Sequence, residues 1–523
     1  MTQTYAYAGL IIGGIVIILI VRLAIGYWAS RKVETTVDYV AAGRRLPLWM
    51  AGPSIMATWF AAETLMGSSA SAYRFGFQGV VFDPFGAALC LVLSAFFVVR
   101  LARRAQYLTL MDFYERRFGK AMSVIGAVIQ IITYFGWTAA QIVAGGSILH
   151  VLLGWPLQMG MILVGVIVTV YTMMGGLWAD TALDFMQMFL IGIGLVVLFS
   201  VIVNKVGGWD AFVGMAGAQY GSQPFALWPV KDEGYLGYTG GLGIFYYLAA
   251  WMAIGLGSIP AQDYLQRTCS AKGEGTAVKS TYFAAILYLL LGIIPALIGV
   301  AAYTGLGPDL ALEQTEFVLI NMAIKYLPPV LVALFIAALA SALMSTSDSS
   351  MLAGATMFTE NIVKVYKPNI SDKTQLWLTR LSLLMIGIIS LLIALFAATI
   401  YRLAVLSCTA ILVGMVAPYL IGMYRKKANH TGALASMITG TVSWVIMAIL
   451  YYPTTLEICE GLVEDATWDA VYIASTPAFL LSVVVLVVVS LATQKIDPPK
   501  AFTGLDGKPV SMEKPFGIND LKD

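Results

Sequence analysis

A run of hydroxyl side chains with one carboxylate occupies the second half of a long apolar segment, residues 329–361. Its polar members are Ser341, Ser345, Thr346, Ser347, Asp348, Ser349 and Ser350. Four positions with the spacing i, i+3, i+4 and i+7 share one helical face: Ala342, Ser345, Thr346 and Ser349. Hard cations such as calcium and magnesium take oxygen ligands, and we extend this preference to sodium. The pattern therefore predicts a site for a monovalent cation.

The same hydroxyls also fit a packing seam in which they bond to carbonyls of their own helix. However, the segment is long enough to cross a bilayer at 1.5 Å per residue. A carboxylate inside a bilayer usually faces a partner or a water-filled cavity. Asp348 therefore favours the ion site over the packing seam.

The composition predicts a polytopic membrane protein. Of 523 residues, 59% are hydrophobic and only 11% are charged, whereas soluble domains carry roughly 25% charged residues. The net charge of +2 is spread over loops and predicts no nucleic-acid partner. Four scattered cysteines and two histidines indicate neither a disulfide framework nor a zinc site. Because no nucleophile–base pair or metal cluster is evident, we expect a protein that is not an enzyme.

Apolar periodicity predicts an all-α integral membrane protein with about thirteen spans. The first run, residues 7–30, is too long for a signal-peptide core and is predicted to be a retained helix. The thirteen predicted spans are residues 5–29, 46–72, 80–104, 122–150, 157–174, 178–204, 236–264, 275–303, 329–363, 374–399, 402–424, 430–452 and 470–492.

Most lysines and arginines fall in alternate loops on one side, which predicts that this side is cytoplasmic. The N-terminus is then outside and the C-terminus inside a plasma membrane, the inner membrane if the chain is bacterial. Residues 1–494 form one predicted transporter domain. Residues 495–523 are polar and rich in proline and lysine, and we expect a largely disordered cytoplasmic tail.

Two of the spans are predicted to be interrupted. The second has Gly52–Pro53, and the seventh has Gly255, Gly257 and Pro260. Because the two spans are five apart, they predict two five-helix inverted repeats, residues 46–204 and 236–424, with flanking helices. Broken helices at corresponding repeat positions mark the binding site of a secondary transporter. Ordinary kinked helices in a bundle remain the alternative.

Five ordered segments resemble the sodium:solute symporter family. They are DYVAAGRRLPLWMAG (38–52), YLTLMDFYERRFGK (107–120), MMGGLWADTALDFMQ (173–187), IPAQDYLQRTCSAK (259–272) and SALMSTSDSSMLAGATMFTENI (341–362). The resemblance implies the inverted-repeat fold first seen in a leucine transporter, with sodium as coupling ion and no other cofactor.

Within this family, the chain is most similar to the branch of high-affinity choline transporters, through ATW in span 2, STSDSS in span 9 and the run NISDKTQLWLTRLSLLMIG after it. Quaternary ammonium groups are recognised by aromatic cages. Trp59 and Trp137 stand at two cage positions of that branch, while Ala261 and Ala404 hold the other two.

The resemblance also implies two ion sites. The first combines the carbonyls of Ala57 and Phe60 in span 2 with span 9, which supplies the carbonyl of Ala342 and the hydroxyls of Ser345 and Thr346. A possible second sodium site uses the Asp of the family signature together with polar residues of span 9: Asp184, Ser345, Asp348 and Ser349. Leu183 replaces the usual threonine of that signature, and Asp180 is additional. A structural network that satisfies Asp184 and Asp348 is the alternative.

The solute is expected near the midplane, between spans 2, 3, 4, 7 and 11. The candidate residues are Trp59, Glu63, Thr64, Asp83, Trp137, Gln141, Gln262, Asp263, Tyr401 and Ser407. Glu63 and Thr64 match positions that contact sugar in galactose-carrying relatives, and Asp83 stands near another acidic contact there. Two carboxylates beside tryptophans favour a solute with an amine or many hydroxyls.

The sequence therefore predicts a sodium-coupled symporter that imports a small organic solute by alternating access. The favoured solute is an organic cation or an amine-bearing metabolite. A sugar, an amino acid or a short organic acid is the alternative, and a transporter-like solute sensor is an alternative of another class. The expected partners are sodium, the solute and the lipid bilayer; the oligomeric state is not predicted.

Overall fold

The computed structural model describes residues 7–30, 42–173, 177–221, 223–229, 234–396, 399–518 and 521. The regular secondary structure of this part of the chain is helical. The principal helices are α1 (Ala8–Ser30), α2 (Leu48–Ala57), α3 (Ser68–Phe75), α4 (Ala87–Phe97), α5 (Val99–Ala105), α6 (Leu110–Phe118), α7 (Lys120–Leu153), α8 (Leu157–Thr172), α9 (Leu177–Lys205), α10 (Trp209–Tyr220), α11 (Gly240–Gly255), α12 (Gln262–Cys269), α13 (Glu274–Leu306), α14 (Val318–Tyr326), α15 (Pro329–Met357), α16 (Asp372–Phe396), α17 (Ile400–Ile411), α18 (Ala417–Tyr424), α19 (His430–Ile458) and α20 (Val463–Thr493).

Helices occur within all thirteen predicted spans. By length and composition, nine helical segments of the described residues suffice to cross a membrane, and four shorter apolar helices accompany them. The all-helical class is therefore confirmed, while the number of thirteen crossings stays a prediction.

The second span is broken, although not at the expected residues. Pro53 lies within the regular helix α2, and the chain leaves the helix only after Ala57. A π-helical turn, Glu63–Gly67, then leads into α3. The break persists because side chains bind the freed backbone groups: Gln141 accepts a hydrogen bond from the N–H of Ala62 at 3.1 Å.

The seventh span is also broken, between α11 and α12. A Cβ atom on Gly257 would lie 2.0 Å from the carbonyl oxygen of Ala253 and 2.5 Å from that of Cys408. Only glycine therefore allows this close approach of the two backbones. The second and seventh spans thus both contain a break, as two five-span repeats require.

The hydroxyl-rich helix α15 is unbroken and central. It packs against α1, α7, α9 and α16. Each of its residues from Ser341 to Met357 is buried. The hydroxyl run therefore faces other helices on every side, which explains why the helix can carry so many polar groups.

The expectation of a disordered tail differs from the structure. Within residues 495–523, the ring of Phe516 stacks on Phe96 with ring centroids 5.2 Å apart. The N–H of Leu505 donates to the carbonyl of Ala105 at 3.0 Å. The composition is polar, but a few apolar side chains anchor the segment against the helix bundle.

Candidate ion and solute sites

The hydroxyl helix and the broken second span meet at the end of α2. Thr346 Oγ1 on α15 donates to the carbonyl of Ala57 at 3.2 Å. The N–H of Ala61, which would close the next helical turn on Ala57, donates instead to the carbonyl of Trp59 at 2.9 Å. The carbonyl of Ala57 is thus a helix-end oxygen, and such groups carry partial negative charge.

The other predicted members of the first ion site lie around this junction. Phe60 is buried within the break, and Ala342 is buried one turn before Thr346 on α15. Ser345 is turned towards an aspartate pair: its hydroxyl donates to Asp184 and lies 3.3 Å from Asp180 Oδ1. The structure therefore brings one hydroxyl and one carbonyl of the predicted site together, those of Thr346 and Ala57, while the Ser345 hydroxyl contacts a second polar cluster.

That second cluster is centred on Arg267, at the end of the broken seventh span. Its Nη2 lies 2.6 Å from Asp180 Oδ2, 3.3 Å from Asp184 Oδ2 and 2.6 Å from Ser349 Oγ. Its Nε donates to Ser54 Oγ at 3.1 Å, and Ser54 Oγ donates to Asp184 at 2.7 Å. A buried arginine thus faces two buried aspartates, which is how buried charges are tolerated.

Asp348 lies in a different cluster from Asp184 and Ser349. Its carboxylate accepts hydrogen bonds from Arg22 at 2.8 Å and from Thr172 at 2.6 Å. The structure therefore places Asp348 apart from the other residues of the second ion-site hypothesis, Asp184, Ser345 and Ser349. Asp184 contacts Arg267 and Asp348 contacts Arg22, which fits a structural network of buried charges. In the described part of the chain, the two aspartates do not bond to each other.

Sequence reasoning missed Arg22 and Arg267. Arg267 belongs to the QR pair in the span 7 motif, and it lies four residues after Asp263. A buried arginine near the end of a membrane span needs an acidic partner, which could have suggested Asp180 or Asp184. Arg22 stands alone in the first apolar span, and the same rule applies there.

The solute candidates on the second span surround its break. Glu63 is fully buried, and its Oε2 accepts a hydrogen bond from Gln141 Nε2 at 2.9 Å. In the described part of the chain, its other oxygen, Oε1, has no hydrogen-bond partner. Gln141 thus holds both the broken backbone and one oxygen of the carboxylate, and leaves the second oxygen available.

Asp83 is arranged in the same way. Its Oδ2 accepts hydrogen bonds from Thr64 Oγ1 at 2.9 Å and from the hydroxyl of Tyr288 at 3.1 Å. Its Oδ1 is buried without a partner among the described residues. In this part of the chain, no ion pair joins Glu63 or Asp83 to an arginine or a lysine.

A third buried carboxylate, Asp263 on α12, orients Trp59. The indole Nε1 of Trp59 donates to Asp263 Oδ2 at 3.2 Å, and the hydroxyl of Tyr134 donates to Oδ1 at 2.8 Å. Trp137 is 5% exposed, and its Nε1 has no partner among the described residues. Trp137 lies four residues before Gln141 on α7, so the two side chains share one face of this helix.

The remaining three solute candidates, Gln262, Ser407 and Tyr401, form hydrogen bonds between different parts of the fold. Gln262 accepts a hydrogen bond from the N–H of Leu110 at 2.6 Å, which ties α12 to α6. Ser407 donates to the carbonyl of Thr133 at 3.1 Å. Tyr401 donates to the carbonyl of Gly79 at 3.1 Å. The side-chain oxygen of Gln262 and the hydroxyl of Ser407 are therefore already engaged in hydrogen bonds within the protein.

Comparisons with known proteins agree with this architecture. A profile of the sodium:solute symporter family matches residues 39–440. The human high affinity choline transporter 1 is 26% identical over 82% of this chain and 74% of its own length. The sodium/glucose cotransporter of Vibrio parahaemolyticus is 26% identical over 87% of each chain.

A solved Na⁺-coupled sialic acid symporter, in a substrate-bound outward-open state, has the same fold, with a TM-score of 0.70. The identity is 21%, over 91% of this chain and 98% of that one. The predicted leucine-transporter-like fold is therefore confirmed, as are the transporter class and sodium as the coupling ion. The chain belongs to the sodium:solute symporter family, a family of transporters that couple a small solute to sodium.

Proposed function

We propose that this symporter imports a small organic cation of the choline type together with sodium. One observation carries the proposal: Glu63 and Asp83 are fully buried, and each presents a carboxylate oxygen without a partner among the described residues. A buried unpaired charge is costly. A cationic solute between spans 2 and 3 would neutralise it.

Two tryptophans support a cation with a methylated head. Trp59 and Trp137 are both largely buried, and the face of an indole ring attracts such cations. The hydrogen bond to Asp263 fixes the plane of Trp59. The choline transporters among the relatives make choline the first cation to test.

We place the coupling sodium at the junction of α2 and α15. Its ligands are the carbonyls of Ala57, Phe60 and Ala342 and the hydroxyls of Ser345 and Thr346. Sodium would order the broken segment of span 2, which also contains Trp59 and Glu63. Binding of the ion and binding of the solute would therefore favour each other. An inward membrane potential supplies about 2.3 kcal/mol per charge per 100 mV.

A second sodium at Asp184, Asp348 and Ser349 is a weaker proposal. Asp184 and Ser349 already contact Arg267, while Asp348 contacts Arg22. A measured stoichiometry of one sodium per solute would remove the second ion.

We also propose the arrangement in the membrane. Exposed apolar side chains such as Ile17, Phe189 and Ile449 would face lipid. The basic loops would lie in the cytoplasm, with the N-terminus outside and the C-terminus inside.

The direct test is uptake of labelled choline into proteoliposomes under an inward sodium gradient. We expect sodium-dependent accumulation that is competed by tetramethylammonium more strongly than by glucose, proline or acetate. Trp59→Phe should weaken uptake, whereas Trp377→Phe, at an exposed position on α16, should not.

Sodium-dependent uptake of glucose or proline but not of choline would favour the alternative solutes, whose hydroxyls or amine could also bind Glu63 and Asp83. Specific solute binding without any uptake would indicate a sensor.

A further inference from the structure

A cavity of about 370 Å³ lies next to the solute site described above and shares Tyr401 with its candidate residues. Its walls are largely aromatic, with rings from Phe82, Tyr235, Tyr238, Tyr246, Tyr401 and Tyr472. It lies beside the acidic segment after α19, on the face that the loop charges predict to be external. None of its acidic residues was among the predicted site residues.

The floor of this cavity adjoins the solute site. Gly67, which lines the cavity, follows Thr64 by three residues, and Phe82 directly precedes Asp83. The rings of Phe82 and Tyr401, which both line the cavity, pack edge to face with centroids 5.3 Å apart. A solute in the cavity would therefore lie against this aromatic pair, next to the solute site.

The charges of the cavity favour a cation. Arg402 is engaged by two carboxylates, since it lies 2.6 Å from Glu464 and also contacts Asp465. The other basic group, Arg74, has its guanidinium carbon 4.6 Å from the centre of the Phe75 ring. Three carboxylates, including Asp465, line the cavity against these two arginines.

The other two carboxylates are set into the walls. Asp469 accepts hydrogen bonds from the hydroxyls of Tyr238 and Tyr246, both at 2.8 Å. Glu316 is only 5% exposed, and its Oε2 has no hydrogen-bond partner in the described part of the chain. A buried acceptor that lines a cavity and lacks a partner can accept a hydrogen bond from a ligand or from water in that cavity.

We propose that this cavity is an outer binding site for a small organic cation, with Glu316 and Asp469 as counter-charges and tyrosine rings as walls. Tyr246 packs edge to face with Tyr235 and Tyr472, with centroids 5.3 and 5.5 Å apart. Aromatic faces suit a methylated ammonium group, whereas bare sodium needs several oxygen ligands. The choice of ligand rests on the proposed function. The site would raise the local concentration of the cation next to the solute site.

Cys459 provides a reporter for this site. It lines the cavity, and its sulfur lies 3.6 Å from Asp469 Oδ2. The other three cysteines, Cys90, Cys269 and Cys408, are buried. We would measure the rate at which a methanethiosulfonate reagent modifies Cys459 in purified protein, with and without choline, and use Cys459→Ser to establish the background.

Choline should slow the modification at least fivefold. The protection should persist in Trp59→Ala, which damages the central site, and should be lost in Glu316→Gln. Tyr472→Leu tests the aromatic wall, since the Tyr472 hydroxyl has no partner among the described residues. Glu313→Gln, at an exposed carboxylate three residues before Glu316, is the matched control and should keep the protection.

Protection that is absent in the unmodified protein, lost in Trp59→Ala or retained in Glu316→Gln would overturn the outer site. Choline uptake by the same preparation separates the two proposals. Uptake without protection overturns the outer site alone. Protection without sodium-dependent uptake supports the outer site and overturns the proposed transport of choline.

Discussion

The guanidinium of Arg22 on α1 lies 2.8 Å from the carboxylate of Asp348 on α15, and both residues are buried. Arg22 also donates to the carbonyl of Ser341 at 2.9 Å. A helix outside the two predicted repeats is thereby joined to the helix that carries the hydroxyl run. This pair gives Asp348 a structural role that does not require an ion.

Breaking this pair should destabilise the protein. Removing one partner of a buried ion pair costs about 3–5 kcal/mol, because the other charge is left unpaired. We therefore expect Arg22→Met and Asp348→Asn each to lower the melting temperature of the purified protein, and the double variant to recover part of the loss. The measurement is intrinsic fluorescence during heating in detergent.

Lys364→Met is the matched control, because Lys364 forms a partly exposed pair with Glu360. Exposed pairs contribute at most about 1 kcal/mol, so its melting temperature should change little. Strictly additive losses in the double variant would contradict a direct interaction between Arg22 and Asp348. If Asp348→Asn folds but requires far more sodium for uptake, Asp348 is an ion ligand after all.

The hydroxyl of Thr346 should determine sodium affinity. Thr346→Val keeps the shape of the side chain and removes the oxygen that contacts the Ala57 carbonyl. We expect the sodium concentration for half-maximal uptake to rise at least tenfold, and Thr346→Ser to restore most of it. Thr409→Val is the control, since the hydroxyl of Thr409 donates to the carbonyl of Val405, within its own helix, at 2.7 Å. An unchanged sodium dependence in Thr346→Val would exclude this hydroxyl as a ligand.

The meeting of Thr346 and Ala57 was expected from the resemblance to the family, which places the two residues in one ion site. Helical spacing alone indicated the hydroxyl face of the later segment, but not the residue that this face would meet. Arg22 and Arg267 were missed for a different reason. Their partners are more than 80 residues away in sequence, and no local pattern selects one aspartate among several.

The tail was wrongly expected to be disordered because composition averages over a segment. Phe502 and Phe516 are two apolar residues in a mostly polar segment, and each packs against an aromatic ring of the helix bundle. Pro53 also does not predict where span 2 breaks, because the helix continues through it to Ala57. The position of the break depends on Gln141 and Tyr288, which bind the backbone from other helices.

Glu63 and Asp83 should control recognition of the solute's charge. Glu63→Gln retains an acceptor for Gln141 and Asp83→Asn one for Thr64, so both variants should fold. We expect each to raise the KM for choline at least tenfold, which corresponds to about 1.4 kcal/mol. The measurement is sodium-dependent uptake at several choline concentrations.

An equal KM in Glu63→Gln and in the unmodified protein would show that this carboxylate does not contact the cation. Glu115→Gln, on helix α6 and on the side proposed to be cytoplasmic, is the control for a change of overall charge, and it should leave the KM unchanged. A gain of affinity for a neutral solute in Glu63→Gln would indicate that the pocket itself selects by charge.

Gly517 should be required for docking of the tail. A Cβ atom at this position would lie 2.0 Å from the backbone oxygen of Ala95, which no side-chain rotation can relieve. Gly517→Ala should therefore lift the tail, expose Phe516 and destabilise the protein by about 1–3 kcal/mol, as overpacking typically does. Limited trypsin digestion should cleave the tail faster, and the melting temperature should fall. Gly214→Ala is the matched control, because a Cβ atom there has no neighbour within 4 Å. Equal cleavage rates in the two variants would contradict a docked tail, since only a tail held against Ala95 is sensitive to a single added methyl group.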